Sequence, residues 1–135
     1  MTGVTRSRRF SHSISSVPAA RKFVAASLRE LPPECCEIAA LLVSELATNA
    51  VVHATSDFTV TVLHPDPGGR VRIEVVDANP AQPPPLRPTP PTAPHGRGLL
   101  LVATLSEHWG VEDAGASPGK KIWFELASAA EKREP

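Results

Sequence analysis

Three polar side chains recur every fourth residue within one apolar stretch of the chain: Glu45, Asn49 and His53. Residues four apart lie on the same face of an α-helix, so Glu45 and Asn49 reach into one small volume. A carboxylate buried there without a partner costs several kcal/mol, which predicts a protein partner, a metal ion or a wet cavity beside it. The alternative is that both residues lie at the rim of the helix and satisfy each other or a loop backbone.

The apolar residues around this row define the face of the helix that we expect to pack on a sheet. At about 100° per residue, the expected apolar arc consists of Ile38, Leu41, Leu42, Leu46 and Val52. Glu45 and Asn49 fall in the middle of that arc, and His53 extends the row on one side. The pattern therefore predicts polar groups directed toward the sheet.

Two further features have residue types that bind ligand groups. Asp77 ends the second strand of a predicted hairpin and faces a loop of uncharged residues, although an Asp at such a position is often a turn residue. Gly96-Arg97-Gly98 leads into a predicted helix, whose first amide groups have no intrahelical acceptors and suit a phosphate. The alternatives are that the glycines serve only steric needs and that Arg97 reaches solvent.

Together these features would surround a nucleotide. The carboxylate of Asp77 would accept a hydrogen bond from an amino group of the base, Asn49 would hold Mg²⁺, and the glycine amides would bind phosphates. Oxygen ligands suit Mg²⁺, which typically keeps waters and shares the phosphates of its substrate. The combination predicts a nucleotide site, and no single member does so alone.

The elements that would carry these residues follow from changes in the hydrophobic period. The predicted strands cover residues 10–14, 58–63, 71–77, 109–111 and 122–126, and the predicted helices cover about 15–31, 34–54 and 99–105. The order is β-α-α-β-β-lid-α-β-β, because the proline-rich segment 78–95 favours a lid over regular structure. We expect an α+β fold, a two-layer sandwich with three helices on one face of a mostly antiparallel sheet. Residues 1–9 and 127–135 are expected to be flexible termini around a domain at 10–126.

Charge, hydropathy and cysteine content indicate which partners and which compartment to expect. The 135-residue chain balances 14 Lys and Arg against 14 Asp and Glu, which argues against a direct nucleic-acid binder, since that usually needs a basic face. No apolar run approaches the ~20 residues of a membrane-spanning helix, so no membrane partner is expected. Cys35 and Cys36 fit neither a disulfide scaffold nor zinc spacing, which favours a reducing cytoplasm. The pair could sense redox state, but core filling is the simpler interpretation.

Four segments resemble motifs of the Bergerat-fold (GHKL, histidine-kinase-like) ATPase superfamily. Residues 45–54 (ELATNAVVHA) resemble its N box and residues 77–80 (DANP) its adenine-reading Asp box, while 96–102 (GRGLLLV) and 119–126 (GKKIWFEL) resemble its glycine box and final strand motif. Their order and spacing match over residues 10–126. Within the superfamily, the chain is similar to small anti-sigma factor serine kinases and stand-alone actinobacterial ATP-binding regulators. With 135 residues, it is not expected to contain the transducer or phosphoacceptor domains of the other branches.

The resemblance implies a function and a role for each matching residue. It would make the chain a kinase that transfers phosphate from Mg²⁺-ATP to a serine of a STAS-type anti-sigma antagonist. In another state the chain would bind a sigma factor, and members of the family often form homodimers. Glu45 would be the general base, Asn49 the Mg²⁺ ligand and Asp77 the adenine ligand. The other positions implied are His53, Gly96, Arg97, Gly98, Leu99 and Lys120 at the nucleotide, and Arg21 at the protein partner.

Two segments depart from the pattern of the superfamily. Ala78-Asn79-Pro80 follows Asp77 where the broad superfamily has glycines, although small actinobacterial members often show this form. Lys120-Lys121 occupies the region where the family usually has a Thr near the adenine pocket, and the two lysines could grip phosphate or be solvated on a strand edge. These departures favour a rival interpretation, a non-catalytic switch in which ATP or no nucleotide sets the affinity for a partner. An α+β interaction domain without a ligand is the remaining alternative.

Overall fold

The computed structural model describes residues 4–54, 56–64, 69–77, 97–113 and 119–127. In chain order its elements are β1 (Val4–Phe10), α1 (Ser16–Ser27), α2 (Pro33–Asn49), a π-helical turn (Ala50–Ala54), β2 (Phe58–His64), β3 (Arg70–Asp77), α3 (Arg97–Leu105), β4 (His108–Asp113) and β5 (Lys120–Ala127). The predicted order of strands and helices is confirmed. The predicted lid at 78–95, Gly96 and residues 128–135 of the predicted tail lie outside the described residues.

The five strands form one antiparallel sheet in the order β1-β2-β3-β5-β4. In β2, β3 and β5 buried residues alternate with partly exposed ones, and the buried ones join the core beneath the helices. A period of two is what an antiparallel sheet covered on one face requires. The predicted α+β sandwich, with three helices on one face of the sheet, is therefore confirmed.

The core between the two layers is largely aliphatic, with an aromatic cluster at the β1 edge. Phe10 stacks on Phe58 with ring centroids 5.4 Å apart, and Phe23 of α1 meets Phe10 edge-on at 5.9 Å. Fully enclosed side chains elsewhere in the core include Leu28, Leu42, Leu46, Val60, Ile73, Val102 and Phe124. Burying a side chain of this size contributes roughly 1.5–3 kcal/mol, so the contact between the layers stabilises the sandwich.

The first strand lies earlier in the chain than its alternation predicts. Residues 4–9, expected to be a flexible terminus, pair with β2 along its whole length, and the strand ends at Phe10 instead of continuing to residue 14. Its arginines fit an edge strand because their guanidinium groups lie over aromatic rings. Arg8 is 5.2 Å from the centroid of Phe10, and Arg6 is 6.0 Å from that of Phe23. Both the predicted strand at 10–14 and the flexible segment at 4–9 are therefore wrong.

The junction between α1 and α2 is a tight turn that buries a thiol. The first helix, predicted to run to about residue 31, ends at Ser27. A turn follows, in which the amide of Leu31 donates to the carbonyl of Leu28 at 2.9 Å. Pro33 starts α2, a position where its missing N–H has no helical acceptor to lose. Burial raises the pKa of Cys35 to about 11, and Cys36 donates its thiol to the Leu28 carbonyl at 2.8 Å. Neutral, packed thiols support core filling over a redox sensor.

One segment of the described residues is long and apolar enough to span a membrane by length and composition alone. It is Pro33–Val52, with 20 residues and a mean hydropathy of 1.6, although Glu34, Glu37 and Glu45 interrupt its apolar residues. In the structure the segment packs against α1, α3, β3 and β5 as the central helix of its layer. The core helix of a folded domain passes the same test.

Candidate functional site

The buried side of α2 differs from the predicted arc. Its buried residues are Cys35, Ala39, Leu42, Val43, Leu46 and Ala47. Leu41 and Val52, which were predicted to face the sheet, are 42% and 50% exposed. On the same helical wheel, the observed buried side is centred about 100° away from Ile38. The reason is that α2 packs against α1 as well as the sheet, and its alanines allow the closest approach, whereas the prediction weighted the largest side chains.

Glu45 and Asn49 consequently lie on the flank of α2, and both side chains are half-buried. The prediction that they point into the middle of the buried face is wrong, and the rim alternative describes their position. Four residues apart in an unbroken α-helix, they still share one row. A half-buried carboxylate beside an amide avoids the full penalty of an enclosed charge. The row thus lies where a ligand can reach it.

The row does not continue unchanged to His53. After Asn49 the chain forms the π-helical turn Ala50–Ala54, in which backbone hydrogen bonds span five residues instead of four. Because this turn is wider than an α-helical one, the α-helical spacing of the prediction does not apply from residue 50 onward. The side chain of His53 itself lies outside the described part of the chain. Turns of this kind are frequent at functional sites, and this one directly follows Asn49.

Asp77 is the buried charged side chain of the described residues. It ends β3 and continues the alternation of Val71, Ile73 and Val75, so its carboxylate lies on the helix-facing side of the sheet. Its side chain is 6% exposed, and its Oδ2 lies 3.7 Å from Nζ of Lys120. A buried carboxylate at the end of an apolar row has no role in packing, which makes it the strongest candidate for a ligand contact.

The topology brings the end of α2 to the same end of the sheet as Asp77. Phe58, the first residue of β2, is the register partner of Asp77, and Asp77 in turn pairs with Lys120 at the start of β5. The π-helical turn ends four residues before Phe58, a distance of at most about 14 Å. The C-terminal end of α2, with Asn49, therefore lies near the strand ends that carry Asp77 and Lys120.

The first turn of α3 is the remaining element that suits an anion. A two-residue connection joins α3 to His108, whose partner in β5 is Glu125, far from Lys120. The nine residues of α3 span about 13 Å and pack against α2 and β4. Its first amides have no helical acceptors and suit an anion. Gly98 lies in this first turn, while the side chains of Arg97 and Leu99 lie outside the described part of the chain.

The two lysines occupy positions that sequence reasoning missed. Both are bound to carboxylates across the β3–β5 ladder, on opposite faces of the sheet: Lys120 to Asp77, and Lys121 to Glu74, each at 3.7 Å. The sequence analysis expected the two lysines either to bind phosphate or to be solvated on a strand edge, and it predicted neither ion pair. The register of β3 and β5 places residues 77 and 120 opposite each other. This pairing can be predicted from the sequence only if β3 and β5 are already known to be neighbours.

Arg21, the residue expected to meet a protein partner, lies on the exposed side of α1. Its Nη1 donates to Oγ of Ser44 in α2 at 2.9 Å, and Ser44 in turn donates to the carbonyl of Ala40 at 2.9 Å. These bonds hold the guanidinium over the groove between α1 and α2. A partly fixed, exposed arginine is suited to an acidic group on another molecule.

The oxygen donors at this end of the molecule fit a metal that arrives with a substrate. The described residues contain no group of three or more His, Cys, Asp or Glu side chains that could hold a metal ion. Mg²⁺ is usually bound by one or two protein oxygens together with substrate phosphates. The amide oxygen of Asn49, with the Glu45 carboxylate in the same row, is a donor set of that kind.

Comparison with known proteins gives one informative result. The family described as the histidine kinase-like ATPase domain has a model that matches residues 10–125. A search of the curated proteins found no match. The matched span covers the elements from the end of β1 to β5 and includes Glu45, Asn49, Asp77 and Lys120.

Proposed function

The chain belongs to the histidine kinase-like ATPase domain family, and on that premise we propose that it is an ATP-dependent regulatory serine/threonine kinase. Its substrate would be a serine on a STAS-type anti-sigma antagonist, and a sigma factor would be its second partner. The observation that carries the proposal is the convergence at one end of the sheet. The buried acceptor Asp77 lies at this end, and the C-terminal end of α2, which carries the half-buried row of Glu45 and Asn49, lies near it. The first amides of α3 would complete the site.

Each group would have a separate task in this site. Asp77 would accept a hydrogen bond from the amino group of the adenine ring, and the first amides of α3 would bind phosphate oxygens. Asn49 would hold Mg²⁺, which neutralises phosphate charge during phosphoryl transfer. Glu45 would orient the serine hydroxyl of the partner and accept its proton as the oxygen attacks the γ-phosphorus and ADP leaves. The protein mainly has to position these groups, because phosphoryl transfer requires little covalent chemistry from it.

The exposed surface of α1 supports a role in partner binding. Arg21 and Lys22 are both exposed there, and the hydrogen bond to Ser44 orients the Arg21 guanidinium. These two exposed positive groups, one of them held by Ser44, would steer an acidic surface of an antagonist or sigma factor toward the kinase. A second copy of this chain is a further candidate partner.

A second candidate function is a non-catalytic switch. The ion pair between Lys120 and Asp77 favours it, because the acceptor proposed for adenine is already occupied by an ammonium group. In this alternative, ATP or an empty site would set the affinity for a partner, and no phosphate would be transferred.

Calorimetry combined with a transfer assay separates the two candidates. Purified protein is titrated with ATP and ADP, with and without Mg²⁺, and a STAS-domain protein is then incubated with γ-labelled ATP. We expect Glu45→Ala to retain ATP binding but to lose transfer by about 10²–10⁴-fold, as is typical for a general base. Asn49→Ala is expected to weaken Mg²⁺-ATP binding while leaving Mg²⁺-free adenosine binding unchanged.

The matched control is Glu37→Ala, which removes an exposed carboxylate from the same helix. It should change neither binding nor transfer. Unchanged transfer by Glu45→Ala would disprove its role as the base. ATP binding without transfer to any STAS protein would favour the switch. No ATP binding at millimolar concentration would reject the kinase and leave only the nucleotide-free form of the switch, which a pull-down of partners would then test.

A further inference from the structure

The carboxylate of Asp77 carries a charge contact that a ligand must displace. Its Oδ2 and the Nζ of Lys120 are 3.7 Å apart, which is longer than the 2.7–3.2 Å typical of an N–H···O hydrogen bond. The pair is thus held by charge rather than by a short directional bond. The Lys120 side chain is 27% exposed, so its ammonium can move into solvent along a flexible stem.

The position of Lys120 in the sheet explains why it reaches the candidate ligand site. Lys120 is the first residue of β5 and lies directly opposite Asp77 in the β3–β5 ladder. The next pair on this face, Val75 and Ile122, is apolar and buried. The ammonium therefore lies at the outer end of an apolar row, on the helix-facing side where the proposed adenine site is located.

We propose that Lys120 is an affinity-setting residue that competes within the protein for the adenine acceptor. In the empty site its ammonium pairs with Asp77, and the amino group of an adenine ring must replace it there. The free energy of the Lys120–Asp77 contact is then subtracted from the free energy of adenine binding. This inference rests on the proposed nucleotide site and adds to it the residue that weakens the site.

The outer face of the same two strands provides an internal control. Lys121 lies 3.7 Å from Glu74 and is also 27% exposed, so it matches Lys120 in both distance and exposure. Its carboxylate partner additionally accepts a bond from Arg72 at 2.9 Å, on the face opposite to the helices. Removing either lysine changes the net charge equally, but only Lys120 contacts Asp77.

The test uses adenosine, a neutral ligand without phosphates, and the full chain. Wild type, Lys120→Met and Lys121→Met are titrated with adenosine by calorimetry, after a thermal melt has shown that each variant is folded. We expect Lys120→Met to bind adenosine about threefold to tenfold more tightly than wild type, the range of a partly exposed ion pair. Lys121→Met should bind like wild type. Inosine, in which a carbonyl replaces the amino group, should gain nothing from Lys120→Met.

A salt titration of the wild type requires no substitution and decides the matter if Lys120→Met does not fold. Salt screens a partly exposed ion pair, so the affinity of the wild type for adenosine should rise as KCl is increased from about 50 to 500 mM. Over this range the screening length falls from above to below ~10 Å. The affinity of a folded Lys120→Met should not change with salt. An affinity that is flat or falls with salt in the wild type would contradict the competition.

The outcomes separate this inference from the proposed function. If wild type binds ATP and Lys120→Met binds adenosine no more tightly, the competition is overturned and the nucleotide site stands. If only Lys120→Met binds nucleotide, the competition is supported and the wild-type chain is not an ATP-dependent kinase. If no variant binds ATP or adenosine, both the nucleotide site and the competition are rejected.

Discussion

The two faces of the sheet use the same kind of ion pair in different surroundings. On the outer face, Glu74 accepts from Arg72 at 2.9 Å and lies 3.7 Å from Lys121, and Arg72 reaches Glu125 at 3.4 Å. On the helix-facing side, Asp77 ends a row of buried apolar residues, and its side chain is 6% exposed, against 17% for Glu74. The network of ion pairs on the exposed outer face stabilises the sheet. The buried carboxylate at the end of the apolar row on the other face is suited to binding a ligand.

The outer face also packs an aromatic ring outside the core. The guanidinium of Arg72 lies 4.1 Å from the ring centroid of Trp123, and the same indole fills the space above Gly110 of β4. Stacking on a cation is worth about 0.5–1 kcal/mol at an exposed site. This face is thus held together by contacts among its own side chains.

The largest expected contrast comes from neighbouring residues of β5 on opposite faces. Phe124 is fully buried beneath the helices, and Phe124→Ala should destabilise the protein by about 3–5 kcal/mol, since it leaves a cavity. Trp123→Ala should cost about 1–2 kcal/mol, because it removes the stacking and part of a surface contact. Urea unfolding of both variants measures the difference. Equal losses would mean that the outer face is as much a core as the inner one.

The next contrast concerns ligand binding by the two carboxylates. Asp77→Asn should weaken ATP binding by about 10- to 100-fold, in the range expected for a hydrogen bond to a charged acceptor. Its amide also removes the charge that pairs with the ammonium of Lys120. Glu74→Gln makes the same chemical change on the outer face and should leave ATP affinity unaltered. Calorimetry that finds equal effects would remove Asp77 from the site.

The position of Asp77 was predictable because it depends on a local pattern. Asp77 ends β3 as predicted, and its place on the same face as Val71, Ile73 and Val75 follows from the period of the strand. The shared row of Glu45 and Asn49 likewise follows from helical spacing. The side of α2 on which this row lies could not be predicted, since it depends on how closely α1 approaches the alanines of α2.

Two other features depend on contacts between distant parts of the chain. Lys120 reaches Asp77 only because β5 inserts between β3 and β4, and no local pattern encodes that neighbour. The strand β1 has three arginines in place of an apolar alternation. It is recognised as a strand only from its pairing with β2 and from the contact of Arg8 with the ring of Phe10. Predictions thus succeed within one element and fail where a second element decides the environment.

A glycine on the outer face tests how firmly its aromatic ring is fixed. A Cβ at Gly110 would lie 2.7 Å from Nε1 of Trp123, so Gly110→Ala must displace the indole from its stack with Arg72. We expect a loss of about 1–2 kcal/mol in unfolding free energy, as is typical of modest overpacking. In a Trp123→Ala background the same substitution should cost nothing. A double-mutant cycle by urea unfolding measures this coupling.

The smallest expected effect comes from a third ion pair, which is the most exposed. Asp57 accepts from Nη2 of Arg9 at 3.0 Å and from the amide of His12 at 2.8 Å. The Arg9 hydrogen bond, followed by that of His12, lowers the pKa of Asp57. A carboxyl group with a lowered folded-state pKa stabilises the protein above its unfolded pKa of about 3.9, and the contribution is lost as pH falls through the folded-state pKa.

Asp57→Asn should therefore lower the melting temperature slightly at pH 7, and the difference from wild type should shrink as the pH is lowered from 7 toward 2 and the wild-type carboxyl group gains its proton. Melting curves between these pH values measure the convergence, and adenosine affinity at pH 7 should equal that of the wild type. A constant difference across the range would mean that Asp57 acts through the shape of its side chain rather than its charge. An altered adenosine affinity would instead connect the exposed Arg9–Asp57 pair to the site at Asp77. Burial would then no longer explain why the Asp77–Lys120 pair affects ligand binding.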